Sequence, residues 1–145
     1  RFRNVTGVQT CALPICVLLP DGRIFCIPHN STTARIYDPV SDTLSTPAGT
    51  YSGSSAFRGG VLLPDGRVFC VSSNSTTARI YDPDKDVLLT PAGTYPGSDA
   101  FNGSVLLKDG RVFCVPYNTT TARIYVSKTT TVPDTIALSP FYNKF

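Results

Sequence analysis

An all-β fold assembled from repeated units is what this sequence predicts, on three observations. The first is composition: Glu, Met and Trp are absent, Gln9 is the one glutamine, and Thr occurs eighteen times beside 11 Gly and 12 Pro. A chain poor in strong helix formers and rich in Thr, Val, Ile, Phe and Tyr is not a helical bundle. The second is a repeat of 44 residues, and the third is turn chemistry recurring several times within each repeat. With 41% hydrophobic and 16% charged residues, the chain is not a disordered tail. A net charge of +3 is too small to argue for nucleic acid, and no apolar run is long enough to span a bilayer.

The repeat is read directly. Val17-Leu-Leu-Pro-Asp-Gly-Arg-Ile-Phe-Cys26 returns as Val61 to Cys70 and again as Val105 to Cys114. Thr33-Ala-Arg-Ile-Tyr37 recurs at Thr77 to Tyr81 and Thr121 to Tyr125. Thr46-Pro-Ala-Gly-Thr-Tyr51 recurs at Thr90 to Tyr95. Residues 17–60 and 61–104 are full units, and 105–145 is a third that keeps register to Tyr125 and then departs into a tail. Within unit 61–104, Gly59 to Leu63 predicts a first strand, closed by Pro64-Asp-Gly66, a tight turn whose Gly supplies the positive φ. Arg67 to Val71 is a second strand, with Val68 and Cys70 on one face and Phe69 and Val71 on the other. A polar loop, Ser73-Asn-Ser-Thr76, leads to a third strand over Thr77 to Tyr81, and Asp82-Pro83 opens the next turn. Val87 to Thr90 is a short fourth strand, and Pro91 to Ala100 crosses to the next unit. Four strands per 44 residues is the arithmetic of a β-propeller blade. Ala, Ile, Val, Leu and Cys are expected between blade faces, and Phe25, Phe69 and Phe113 at equivalent core positions.

The pattern Leu-Leu-Pro-Asp-Gly-Arg-Val-Phe followed by Ala-Arg-Ile-Tyr-Asp-Pro resembles the kelch-type blade of galactose-oxidase-like propellers, over nearly all of residues 17–125. It departs in lacking the paired Gly after the second strand, where Ser72-Ser73 and Pro116-Tyr117 stand. It also lacks the fourth-strand Trp, where Leu44 and Leu88 stand. Neither Gly-His nor Trp-Asp dipeptides occur, against the WD-repeat alternative. The near-identical units and the ending Leu138-Ser-Pro-Phe-Tyr-Asn-Lys-Phe145 are similar to repeat-bearing virion structural proteins of tailed bacteriophages. Residues Val5 to Ile15 resemble the conceptual translation of a short-read sequencing adapter, so residues 1–16 are expected to be an artefact and are excluded from fold reasoning. A hybrid codon would then supply Cys16, where Gly60 and Ser104 are the repeat equivalents. The missing Met fits a truncated read, leaving the last two to three blades of a longer chain, and Thr135 to Ser139 is expected as a terminal strand.

Candidate sites are few. Cys26, Cys70 and Cys114 share one phase of the repeat and have no Cys-x-x-Cys or Cys/His spacing, so they read as small packing residues. His29, the only histidine, is expected in an exposed loop; Ser73 and Tyr117 occupy its place in the other units. Positions that vary on an invariant framework are where a repeat protein carries ligand contacts, so His29, Ser73 and Tyr117 are the expected ligand-facing set. Asp82, Asp84 and Asp86 alternate as in a calcium loop, but the Gly and distal Glu of that loop are missing, and an Asp-Pro turn fits better. Asp21, Asp65 and Asp109 read as turn residues; Arg35, Arg79 and Arg123 are expected to pair with turn aspartates or cover apolar surface. Asn30, Asn74, Asn102 and Asn118 begin Asn-x-Ser/Thr triplets, which matter only in a eukaryotic secretory context.

No catalytic set and no cofactor are expected. The function expected is a non-catalytic structural or receptor- and glycan-binding propeller, of a phage tail or similar surface particle, located in a virion or at a cell surface. Its partners would be a virion or host-surface protein or glycan, and the remaining blades of its own longer chain. The alternative is the C-terminal propeller of a secreted galactose-oxidase-like enzyme whose active site lies elsewhere.

Overall fold

The computed structural model describes residues 15–127. Among them eleven strands form three antiparallel sheets, and there is no helix. The first blade holds β1 (Cys16–Leu18), β2 (Ile24–Cys26), β3 (Arg35–Asp38) and β4 (Thr43–Ser45), paired in that order. The second holds β5 (Phe57–Leu62), β6 (Val68–Ser72), β7 (Arg79–Asp82) and β8 (Val87–Leu89), in the same order. The third holds β9 (Phe101–Leu106), β10 (Val112–Pro116) and β11 (Arg123–Tyr125). The first strands of successive blades contact one another, β1 with β5 and β5 with β9, so they form the inner wall and the chain winds outward in each blade.

Each turn follows from its residues. Gly66 sits at φ 83° and its N–H donates to the Leu63 carbonyl, while Gly22 and Gly110 do the same at φ 90° and 82°. Asp65 caps that turn by accepting from the Arg67 N–H at 3.2 Å and pairs with the Arg67 guanidinium at 2.6 Å. Asp82 accepts from the amides of Asp84 and Lys85, which closes the Asp-Pro turn between β7 and β8. The inner strand begins earlier than the sequence predicts, at Phe57 rather than Gly59. A register shift between Phe57 and Gly60, with Gly59 at φ 86°, lets Phe57 still pair with Ser72. The third strand begins later, at Arg79, because Ser75 ties its own side chain to Thr77 and turns the chain there.

Alternation assigns two faces to every blade. In the second blade the row Val61, Phe69, Ile80 and Leu89 faces the third blade, and the row Leu62, Val68, Tyr81 and Leu88 faces the first. Each junction is an apolar seam closed by a ring pair. Phe25 stacks on Tyr81 at 4.6 Å, and Phe69 on Tyr125 at 4.7 Å. Phe25, Val68, Phe69, Cys70 and Val71 are fully buried, each contributing about 1.5–3 kcal/mol on burial for the larger side chains. Phe113 holds the same repeat position but is only half-buried, because its face looks away from the other blades. The expectation of three equal core phenylalanines is corrected there to two.

Gly49 closes the first seam: a Cβ on it would lie 2.5 Å from the Leu88 Cβ, so the crossing segment can rest on β8 only as glycine. Most of the adapter-like stretch, residues 1–14, lies outside the described residues, as does the expected strand at Thr135 to Ser139. Ile15 stands where Gly59 and Gly103 stand in the other units. Among the described residues the inner strand of blade one covers Cys16–Leu18.

Candidate functional site

The loops after β2, β6 and β10 come out on the face where the inner strands begin. A chain of backbone hydrogen bonds fixes them there. The Ala56 N–H donates to the His29 carbonyl, Ser73 to Ala56, Ala100 to Ser73 and Tyr117 to Ala100, at 3.2, 2.8, 3.2 and 2.9 Å. His29, Ser73 and Tyr117 are therefore alternate rungs of one ladder that crosses all three blades.

A second set of bonds holds the crossing turns against the blades on either side. Asn30 Oδ1 accepts from the Ser55 N–H at 2.7 Å; Asn74 Oδ1 accepts from the Ser98 N–H and its Nδ2 donates to the Ser54 carbonyl. Asn118 Nδ2 donates to the Ser98 carbonyl at 3.1 Å. The held turns are strained, with Ser54, Ser55, Ser98 and Asp99 all at φ between 51° and 58°. Non-glycine residues persist there because the asparagine of the neighbouring blade over-determines them. Three of the four Asn-x-Ser/Thr triplets thus start with an interblade clamp, a role the sequence reading did not see.

The clamped turns deliver Arg58 and Asp99 to the same face. Arg58 pairs with Asp99 at 3.2 Å, and its Nε donates to His29 Nε2 at 3.4 Å. Accepting at Nε2 requires the neutral imidazole tautomer with its proton on Nδ1. Ser73 Oγ donates to Asp99 at 3.3 Å. Along this face His29, Phe57, Arg58, Asn102 and Tyr117 line a recess of about 300 Å³. Tyr117 is 64% exposed, and Asn102 Oδ1 is buried without a hydrogen-bond partner among the described residues.

The expected ligand-facing residues have unequal fates. His29 and Tyr117 line one recess; His29 is half-buried on Arg58 rather than loose in an exposed loop. Ser73 is fully buried and reaches the face only through Asp99. Sequence reasoning missed Arg58, Asn102 and Asp99. The signal was available, since Arg58 and Asn102 are repeat equivalents that differ, as are Ser55 and Asp99.

The other candidates serve the scaffold. Asp86 accepts from the Tyr81 hydroxyl and, across the seam, from the Ala48 N–H at 2.9 Å. Asp82 caps its turn and lies 3.7 Å from Lys85. Among the described residues no group of three or more His, Cys, Asp or Glu side chains is arranged to hold a metal. Arg35 and Arg79 donate to Thr46 and Thr90 rather than to turn aspartates, and Arg123 lies over the Tyr95 ring at 4.7 Å. The turn aspartates pair instead with Arg23, Arg67 and Arg111. Cys70 and Cys114 are buried and unbridged, and burial pushes the Cys114 thiol up to about 11 and the Cys70 thiol up further. Cys16 lies 3.0 Å from Cys26 across β1 and β2, both unbridged. No helix among the described residues is long and apolar enough to cross a membrane.

No protein-family model matches this chain, and no curated protein matches it. Solved structures do. Virginiamycin B lyase from Staphylococcus aureus superposes with a TM-score of 0.57 at 13% identity, over 78% of this chain and 40% of that one. A catalytically inactive variant of the same lyase with quinupristin gives 0.56 at 11% identity over the same shares. Kuenenia stuttgartiensis hydrazine synthase gives 0.59 at 14%, over 88% of this chain and 36% of that one. The chain therefore spans well under half the length of these structures. What they share with it is the fold: the three sheets are blades of a β-propeller.

Proposed function

We propose that the chain is a non-catalytic binding module, a propeller segment whose loop face holds a glycan or a glycan-bearing receptor surface. The observation that carries this reading is the convergence of repeat-variable residues on one recess. The invariant positions build turns, seams and clamps, whereas His29, Arg58, Asn102 and Tyr117 differ from their equivalents and share a wall. Their chemistry suits a sugar. An exposed aromatic ring receives the apolar C–H face of a pyranose, and planar amide, imidazole and guanidinium groups bond its hydroxyls. The Asn102 carbonyl oxygen, buried and unpartnered among the described residues, is a ready acceptor for one hydroxyl. The near-identical units and the phage-like ending support a place in a virion tail or similar surface particle.

The test is a glycan array and a host-cell binding assay with the 145-residue chain. A restricted set of glycans should bind, and Tyr117→Ala and Arg58→Ala should each weaken that binding at least tenfold with unchanged circular dichroism. No binding to any glycan or cell, or full binding by both variants, would overturn the proposal.

A further inference from the structure

The recess on the loop face is walled by all three blades: His29 from the first, Phe57 and Arg58 from the second, Asn102 and Tyr117 from the third. Its polar groups ask two different things of a ligand. Arg58 is held on two sides, its Nε donating to His29 Nε2 at 3.4 Å and its Nη2 reaching Asp99 at 3.2 Å. Neither contact uses Nη1, which carries two further N–H donors and calls for an acceptor. Asn102 Oδ1, buried and without a hydrogen-bond partner among the described residues, calls for a donor. Arg58 and Asn102 hold the same repeat position on β5 and β9, which are neighbouring inner strands. A ligand that meets both must therefore bring an acceptor and a donor on separate atoms, one toward each strand. Charge narrows the class further. Asp99 balances the Arg58 guanidinium, and no other lining side chain is charged among the described residues once His29 accepts as neutral imidazole. A carboxylated ligand would have to displace Asp99 from Arg58, whereas a neutral one would not. The recess holds about 300 Å³, the lower end of the about 300–1,000 Å³ of small-molecule sites, which suits one substituted ring rather than a chain.

We propose that the recess takes a neutral 2-acetamido sugar, its acetamido N–H donating to Asn102 Oδ1 and its acetamido carbonyl accepting from Arg58. The inference rests on the glycan-binding reading above and names the sugar class. An acetamido group carries its donor and its acceptor on separate atoms, bears no charge and ends in a methyl. Phe57 and Tyr117 offer that methyl and the C–H face of the sugar ring an apolar wall. A single hydroxyl has both functions on one oxygen and would have to reach both strands at once. Two neighbouring hydroxyls would meet both groups but bring no methyl to the wall. A site built to bond a ligand N–H discriminates against the analogue without it, because the buried acceptor is then left unpaired. Asn102 thus sets specificity, and Arg58, fixed by His29 and Asp99, sets the orientation of the carbonyl.

The experiment titrates the 145-residue chain with the methyl glycosides of N-acetylglucosamine, N-acetylgalactosamine, glucose, galactose and glucuronic acid, read by saturation-transfer and chemical-shift NMR. At least one acetamido sugar should bind roughly tenfold or more tightly than its plain hexose. Saturation should be strongest on the acetyl methyl, and the shifts should centre on Asn102 and Arg58. Asn102→Ala should abolish the preference for the acetamido sugar with unchanged circular dichroism. Equal binding of acetamido and plain sugars, tighter binding of the glucuronide, or a preference that survives Asn102→Ala would each overturn the acetamido assignment and leave the glycan reading in place. Silence from all of these glycosides would overturn the assignment as well. The glycan reading itself falls only if the glycan array and the host-cell assay are also empty.

Discussion

Replacing Phe69 by Ala should cost far more than the same change at Phe113, although the two hold one repeat position. Phe69 is fully buried, sits in the seam between blades two and three, and stacks on Tyr125 at 4.7 Å. Truncating a buried Phe costs about 3–5 kcal/mol, of which the ring pair supplies about 0.5–1.5. Against a total of about 5–15 kcal/mol for a small domain, Phe69→Ala removes a large share. Phe113 is half-buried and has no ring partner among the described residues, so its loss should be about 1 kcal/mol, roughly half the value for full burial. The assay is urea unfolding followed by far-ultraviolet circular dichroism. With a slope of about 1–3 kcal/mol per molar urea, the two midpoints should differ by about 1–2 M. Equal losses, or a larger loss at Phe113, would refute the assignment of faces.

Three further outcomes follow from the same geometry. Asn74→Ala removes one clamp bond from each of the Ser54 and Ser98 turns and should cost about 1–3 kcal/mol; hydrogen exchange at the Ser98 amide should accelerate, with Asn118→Ala milder. Burial raises the Tyr95 phenol from 10.0 to about 12, so its neutral form is favoured by folding; that stability is complete below pH 10 and lost as pH rises toward 12. Phenolate absorbance should accordingly lag behind that of a model tyrosine and then jump with unfolding, since burial raises Tyr51 and Tyr81 as well. Iodoacetamide near neutral pH should leave Cys70 and Cys114 unmodified in the native protein and modify both in urea, read by peptide mass spectrometry.

The blades were legible in the sequence because their signals are local. Pro-Asp-Gly fixes a turn, Asp-Pro fixes another, and period-two alternation between them sets the faces, so Phe69 and Val68 are assigned to opposite seams from sequence alone. The bulge at Gly59 was not legible, because it depends on which residue of β6 Phe57 meets. The Asn clamps were hidden for a similar reason. Asn74 reads as a hairpin tip until the next blade places the Ser98 amide beside it, a contact 24 residues away in sequence. The candidate site was half legible. Variability between units picked out His29 and Tyr117, but Ser73 turned inward to Asp99. Arg58 sits inside a strand, where its difference from Asn102 is easily taken for an exposed-face substitution.

Blades joined through Phe-on-Tyr seams are what place every other feature, from the clamped turns to the recess. The most direct measurement is a two-dimensional NOE spectrum of the aromatic rings in the intact chain. Cross-peaks should join Phe25 to Tyr81 and Phe69 to Tyr125, pairs separated by more than a full repeat in sequence. Rings that show cross-peaks only within their own 44-residue unit would contradict these seams.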